Sequence, residues 1–374
     1  MLSDQSCRSA SLSTAAAPVD QQAPGTASNE LTRIDDINKR AALRAAIAPK
    51  TTPNTQTTHM ELSRSTARAK RSCAEKGYVV DAFAPMFSED THTRTDPIMH
   101  RGYYARFRGV DVAVRAFLSA FGGDAQLVVL GCGLDSMFWR LHATLDTPPT
   151  YFEVDSEVVC VAKRRIVRAH PALLNAAGAG GLGAAGALAP ATPATSSYRL
   201  VAADLRDVDA LDASLRAAGL DAAKPTLVLC ECVLAYLDPE RGDALVAWSR
   251  RTFAAACLFV AYDVVAPKTG DAFGRVMLSN FKDRGAPLLG AAESLDAVRG
   301  RFGDYEASDV RDMRAVYEAL VLRQPAELRR ISALEIFDDP DEFNLIMAHY
   351  CFALAGSGAA VDVARGLAAQ LDAA

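Results

Sequence analysis

Four points in this 374-residue chain place glycine or an acid directly after a run of apolar residues: Gly131-Cys132-Gly133, Asp155, Asp204 and Glu231. Two glycines one residue apart let the backbone turn sharply and come close to a ligand. Asp155 stands 24 residues after Gly131, an offset at which an acid accepts hydrogen bonds from ribose hydroxyls. Either feature alone is ordinary: a G-x-G also makes a plain strand-to-helix turn, and a strand-end carboxylate is often only solvated. Four such ends in one chain are the pattern expected of a site for a nucleoside-containing cofactor.

The elements that must present these residues can be read from periodicity. Gln126–Leu130, Thr150–Val154, Tyr198–Ala202, 225–230 and 257–261 are short apolar runs, which predict strands buried on both faces. Val110, Val114, Phe117, Leu118 and Phe121 mark a helix face before the first run, and Phe138, Leu141 and Leu145 mark one after it. Asp238 and Pro239 supply a cap and a first-turn proline for a helix that continues through Leu245, Trp248 and Phe253. Alternating strands and helices predict a parallel sheet covered on both faces, with ligands bound beyond the carboxyl ends of the strands. The region from about 270 onward reads as more helical, with a late strand at 346–354 that completes the sheet. Residues 1–65, rich in Ser, Thr, Ala and Gln, read as a disordered low-complexity tail. Residues 66–374 then form one domain, interrupted by an Ala/Gly-rich insertion at about 172–197.

Composition narrows the function. A net charge of −5 argues against general affinity for nucleic acid or anionic membrane. No apolar run reaches membrane-spanning length, and the N-terminus lacks the apolar segment of a signal peptide. Eight scattered cysteines without a C-x-x-C pair predict reduced thiols in a cytoplasmic protein. Cys230 and Cys232, two apart, are expected to share one strand face as packing. Among six histidines none has metal-ligand spacing; His349 is expected to be structural and the others exposed. A dinucleotide loop would carry a third glycine at position 136, but Ser136 stands there, and Asp135 would repel a phosphate. S-adenosylmethionine, which has no phosphate, fits the departure better than NAD.

At several separate points the sequence resembles the leucine carboxyl methyltransferase family. The matching segments are Leu130-Gly131-Cys132-Gly133-Leu134-Asp135-Ser136, Phe138-Trp139-Arg140-Leu141 and Tyr151-Phe152-Glu153-Val154-Asp155. Ala203-Asp204-Leu205-Arg206-Asp207 and Glu231-Cys232-Val233-Leu234-Ala235-Tyr236-Leu237 follow. Upstream are Lys76-Gly77-Tyr78 and Arg101-Gly102-Tyr103-Tyr104-Ala105-Arg106; downstream are Asp271-Ala272-Phe273-Gly274 and His349-Tyr350-Cys351.

The resemblance implies a Rossmann-like class I methyltransferase: a mostly parallel seven-stranded sheet with helical additions. It implies S-adenosylmethionine as cofactor and, as substrate, the C-terminal leucine carboxylate of the type 2A protein phosphatase catalytic subunit. It also implies residue roles. Gly131 and Gly133 lie under the methionine part, Asp155 takes the ribose hydroxyls, and Asp204 with the backbone at Leu205 holds the adenine edge. Glu231 meets the methionine ammonium, Arg106 its carboxylate, and Lys70 closes the site from an N-terminal helix, with Arg71 and Lys76 as alternative registers. An arginine pairs with a carboxylate in a directional, bidentate way.

Tyr236 is the candidate for steering the acceptor, and Arg101 is a candidate second carboxylate clamp. The segment 271–295 is expected as a lid or pocket wall. A monomer is expected, with no nucleic-acid or membrane partner. The competing readings are a methyltransferase acting on a tRNA-base carboxyl or on a small molecule, a non-catalytic protein that binds the phosphatase tail, and a nicotinamide dehydrogenase.

Overall fold

Strand β1 (Gln126–Leu130) is buried along its whole length, as an apolar run without alternation requires. It pairs in parallel with β2 (Thr150–Asp155) on one side and β4 (Thr226–Glu231) on the other. Strand β3 (Tyr198–Ala202) extends the sheet beyond β2, and β5 (Ala256–Val264) extends it beyond β4, both in parallel. β7 (Tyr350–Gly358) runs antiparallel to β5, and β6 (Ala307–Asp312) forms the edge beside it. The order is β3-β2-β1-β4-β5-β7-β6. This is the expected mostly parallel seven-stranded sheet, drawn from a computed structural model that describes residues 55–88, 95–178, 182, 197–267 and 271–372.

Register is what builds the site. Val201, Val154, Leu130, Cys230 and Ala261 lie side by side across the parallel strands. The next residue along each strand therefore forms a second row: Ala202, Asp155, Gly131, Glu231 and Tyr262. The sequence motifs at 131, 155 and 231 become neighbours through hydrogen-bond register alone.

Helices cover both faces. α1 (Thr55–Glu75) and α2 (Pro97–Phe121) precede the sheet. Asp96 caps α2 by accepting from the Ile98 amide, with Pro97 in the first turn. α3 (Met137–Thr144), α4 (Glu157–Ala169) and α5 (Pro171–Ala177) follow, then α6 (Val208–Ala217) and α7 (Pro239–Thr252). After β5 come α8 (Ala272–Asp283) and α9 (Leu295–Arg301); after β6, α10 (Met313–Tyr317), α11 (Pro325–Ser332) and α12 (Pro340–Met347); after β7, α13 (Val361–Asp372). One core lies on each face of the sheet: Leu127 and Val129 face one, Val128 and Leu130 the other.

Several expectations need correction. The tail read as disordered to residue 65 gives way to helix at Thr55, and Thr58 and Met60 are buried. The helix is polar on most of its surface, so packing rather than apolar periodicity holds it. Residues 1–54 lie outside the described residues. The stretch read as an insertion opens inside α5, with Leu173 and Ala177 buried; Leu182 is also buried, and most of the remainder lies outside the described residues. The late strand begins at Tyr350, since Pro340–Met347 is still helix. Edge strand β6 was not foreseen because its sequence, ASDVRD, is polar, and only Val310 within it is buried. Asp238 precedes α7 but makes no side-chain cap bond. His100, expected exposed, is buried between Ser72 Oγ (2.8 Å) and Glu335 Oε2 (2.7 Å). Cys230 packs in the core as expected, whereas Cys232 lies beyond the end of β4 and leaves the strand face.

Beneath the Gly131–Gly133 turn the core contains an ion pair. Lys163 Nζ on α4 lies 2.5 Å from Glu153 Oε2 on β2, and both side chains are fully buried. The Tyr198 hydroxyl donates to the same carboxylate oxygen at 2.5 Å, and the Lys163 ammonium lies over the rings of Phe87 and Trp139. Removing one partner strands the other charge in a dry core. Lys163→Met is therefore expected to lower the unfolding free energy by about 3–5 kcal/mol in urea titration. Lys163→Met combined with Glu153→Gln should lose less, and equal losses would show that charge compensation is not what the pair provides.

Candidate active site

The turn after β1 is left-handed at both glycines, with φ +67° at Gly131 and +53° at Gly133. A Cβ on Gly131 would lie 2.6 Å from Val233 Cγ2, so the position requires glycine for space as well as for conformation. The Gly133 amide donates to Asp155 Oδ2 at 2.8 Å, and Asp155 Oδ1 accepts from the Ser156 amide at 2.7 Å. Gly131, Gly133 and Asp155 are thus joined at one rim, as the sequence suggested. Asp204 and Leu205 follow the outer strand β3. Asp204 is half exposed and gripped by Arg206, whose Nη2 donates at 2.6 Å and Nε at 2.9 Å. The hydrogen bond from Arg206 is the main reason its carboxyl sits below the usual range. Leu205 packs against the core.

A second group of expected residues converges beside this rim. Arg106 on α2 donates from Nε to Glu231 Oε2 at 2.5 Å. Lys70 on α1 lies 3.7 Å from the same Glu231 oxygen and bonds Asp135 Oδ2. The Arg106 guanidinium rests over the Tyr262 ring at 4.7 Å and reaches Cys232 Sγ with Nη1 at 3.7 Å. Lys70, Arg106, Asp135 and Glu231 line one cavity with Tyr103, Ser136 and Arg140. Burial works to raise the Asp135 and Glu231 carboxyls, but neighbouring cations outweigh it and hold both below their ordinary range. Those cations are Lys70, Arg140 and Lys163 for Asp135, and Arg106 with Lys70 for Glu231. Lys70 and Arg106 alternate with Asp135 and Glu231, and Arg140 pairs with Asp81 at 3.3 Å, so the set is neutral and suits a zwitterionic α-amino acid end.

Tyr236 sits in the turn Leu234–Tyr236, packed edge-on to Phe281 with ring centroids 6.3 Å apart. It belongs to an aromatic and aliphatic wall with Phe273, Leu278 and Tyr350. Burial pushes its phenol well up, so it stays protonated: a hydrogen-bond donor, not a base. Asp271 caps α8, accepting from the amides of Phe273 (3.0 Å) and Gly274 (3.1 Å), and meets His349 Nε2 at 2.5 Å. His349 is buried and holds this wall, as expected of a structural histidine.

Arg101 does not join the site. Five residues before Arg106 on one helix, it points about 140° away around the axis. It is 5% exposed, donates to the Tyr317 hydroxyl at 3.0 Å and lies 4.1 Å over Phe337. The expected role as a carboxylate clamp is withdrawn on this geometry. Sequence reading also missed Asp135 as a site residue, although its place in the glycine motif opposite a lysine was a usable signal. Tyr103, three residues before Arg106 on α2, carried a helical signal too. Tyr262 and Cys232 gave none, because strand register and backbone conformation bring them in.

The sheet order and the glycine-and-acid rim are those of a Rossmann-like methyltransferase. Comparison with known proteins makes the family specific. The chain matches the family described as Leucine carboxyl methyltransferase over residues 40–250. It is 32% identical to Leucine carboxyl methyltransferase 1 of Bos taurus, over 77% of this chain and 86% of that protein. The Arabidopsis thaliana homolog is 33% identical over 76% of this chain and 84% of that protein. The tRNA wybutosine-synthesizing protein 4 of Rattus norvegicus is 40% identical over 78% of this chain; the chain spans only 43% of that relative's length. A duf574 family protein from Streptomyces avermitilis superposes with a TM-score of 0.46 at 13% identity, covering 82% of this chain and 98% of that one. The chain belongs to the leucine carboxyl methyltransferase family, and its methyl donor is S-adenosylmethionine.

Two outcomes follow from the charged cluster. Arg106→Ala should raise the S-adenosylmethionine dissociation constant more than about tenfold by calorimetry, and an unchanged constant would refute the expected pairing of Arg106 with the donor's carboxylate. The depressed Asp135 carboxyl contributes stability above its unfolded value of about pH 3.9, and that contribution is lost as pH falls through the folded value. Urea midpoints of wild type and Asp135→Asn should therefore differ at neutral pH and converge in acid; a constant gap would rule out the linkage.

Proposed function

We propose that the protein transfers the methyl group of S-adenosylmethionine to the C-terminal leucine carboxylate of the type 2A protein phosphatase catalytic subunit. The observation that carries the reading is the neutral cluster of Lys70, Arg106, Asp135 and Glu231 beside the Gly131 rim, with an apolar wall close by. On this reading Glu231 holds the donor's ammonium, Arg106 and Lys70 its carboxylate, Asp155 the ribose, and Asp204 with Leu205 the adenine edge. Gly131 and Gly133 allow close approach. When bound, the cofactor supplies an electrophilic methyl group on a sulfonium.

A terminal carboxylate is ionised at neutral pH, with a reference pKa of about 3.3–3.7, so the reaction needs no general base. Alignment and exclusion of water then carry the catalysis. Tyr236 donates to the acceptor carboxylate, and Phe273, Leu278 and Phe281 shelter an apolar terminal side chain. A cytoplasmic location and a monomeric state belong to the same proposal; among the described residues the cysteines form no disulfide, and no helix is long and apolar enough to cross a membrane.

The 40% identity to tRNA wybutosine-synthesizing protein 4 favours a second reading, in which the acceptor is a carboxylate on a tRNA base. The chemistry is unchanged, and the net charge of −5 weighs against RNA. Labelled S-adenosylmethionine offered with phosphatase, phosphatase lacking its last leucine, and tRNA separates the two. Base-labile label on the intact phosphatase alone is expected. Label on tRNA selects the second reading, and donor binding without turnover selects a tail-binding protein.

A further inference from the structure

Cys232 is the one non-glycine residue among those described with positive φ, at +56°. The left-handed region crowds the Cβ of an L-residue, and glycine enters it freely. Strained backbone of this kind persists where the surroundings over-determine it, commonly at functional sites. Here the strained residue directly follows Glu231, and two contacts define it. Its amide donates to the Tyr262 carbonyl at 2.6 Å, the last bond of the parallel ladder between β4 and β5. Its sulfur accepts from Arg106 Nη1 at 3.7 Å. The same guanidinium donates from Nε to Glu231 and stacks on Tyr262. Arg106 is therefore held on one edge by the carboxylate of residue 231, on another by the thiol of residue 232, and on its face by the ring whose carbonyl fixes residue 232.

We propose that Cys232 is a positioning residue: its left-handed backbone aims Glu231 at Arg106, and its thiol fixes the guanidinium in the orientation that receives the donor's α-amino acid end. The proposal rests on the donor site described above. A thiol suits the task. Burial pushes Cys232 up to about 12, so it is neutral and adds no second negative charge beside the Arg106–Glu231 pair. An acid there would tip the neutral cluster negative, against an incoming carboxylate. Glycine would relieve the backbone but leave one edge of the guanidinium unheld.

The test separates strain from positioning. Cys232→Gly, Cys232→Ala and Cys232→Ser are compared with wild type by calorimetric titration with S-adenosylhomocysteine and by thermal unfolding. Cys232→Gly should melt at or above the wild-type temperature and yet bind about fivefold or more weakly. Cys232→Ala should lose both stability and affinity, and Cys232→Ser, which keeps an acceptor, should recover most of the binding. In an Arg106→Ala background, Cys232→Gly should change binding less than about twofold, because the two act as one unit. A glycine variant that binds like wild type, or an equal loss in both backgrounds, overturns the proposal while leaving the donor site standing. Failure of wild type itself to bind removes the donor reading and this one with it.

Discussion

A charge withdrawn from water must meet an opposite charge, and at the carboxyl edge of this sheet four elements are held together by that requirement. Lys70 comes from α1, Arg106 from α2, Asp135 from the turn before α3 and Glu231 from the end of β4. Each cation lies against a carboxylate, and each carboxylate stays ionised because the cations outweigh its burial. The set is neutral and its signs alternate. A zwitterionic ligand can thus exchange partners with it one for one, without leaving a stranded charge. The same pairing ties α1 to the sheet, although α1 has little apolar surface of its own.

The parallel half of the fold was legible because buried parallel strands must be apolar on both faces. Gln126–Leu130 and Tyr198–Ala202 were read residue for residue. The second row of register then turned sequence motifs at 131, 155 and 231 into neighbours, so the rim was legible as well. What failed did so where burial is partial. Edge strand β6 needs few apolar residues, and α1 is recruited by ion pairs and small side chains. Arg101 and Arg106 look equivalent in sequence; only helical phase separates the one stacked on Phe337 from the one stacked on Tyr262. Cys232 reads as a strand residue in the sequence because nothing in composition announces a positive φ.

The donor rim comes from the parallel strands and their turns, but the wall around Tyr236 comes from later sequence. Phe273, Leu278 and Phe281 lie on α8, and Tyr350 opens β7, where the sheet turns antiparallel. His349 and Asp271 fasten the start of α8 to the start of β7, which makes this wall a fixed surface. On the proposed reading, donor and acceptor features are therefore built from different parts of the chain. A family can keep the first and vary the second, which fits relatives whose names refer to a leucine carboxyl group and to a tRNA base.

That division also limits what acceptor chemistry the site can serve. The wall offers neutral phenols, which can donate to a carboxylate but cannot take a proton from an alcohol, because burial keeps Tyr236, Tyr262 and Tyr350 protonated. The acids nearest to it are committed: Glu231 to Arg106 and Lys70, and Asp263 to the amides of Ala235 and Val264. An acceptor that must lose a proton gets no help from these phenols or from either of these acids. An acceptor that arrives as an anion needs no base, only a hydrogen-bond donor such as the Tyr236 phenol. On the proposed reading the acceptor is a carboxylate for this reason, and the wall decides which carboxylate it is.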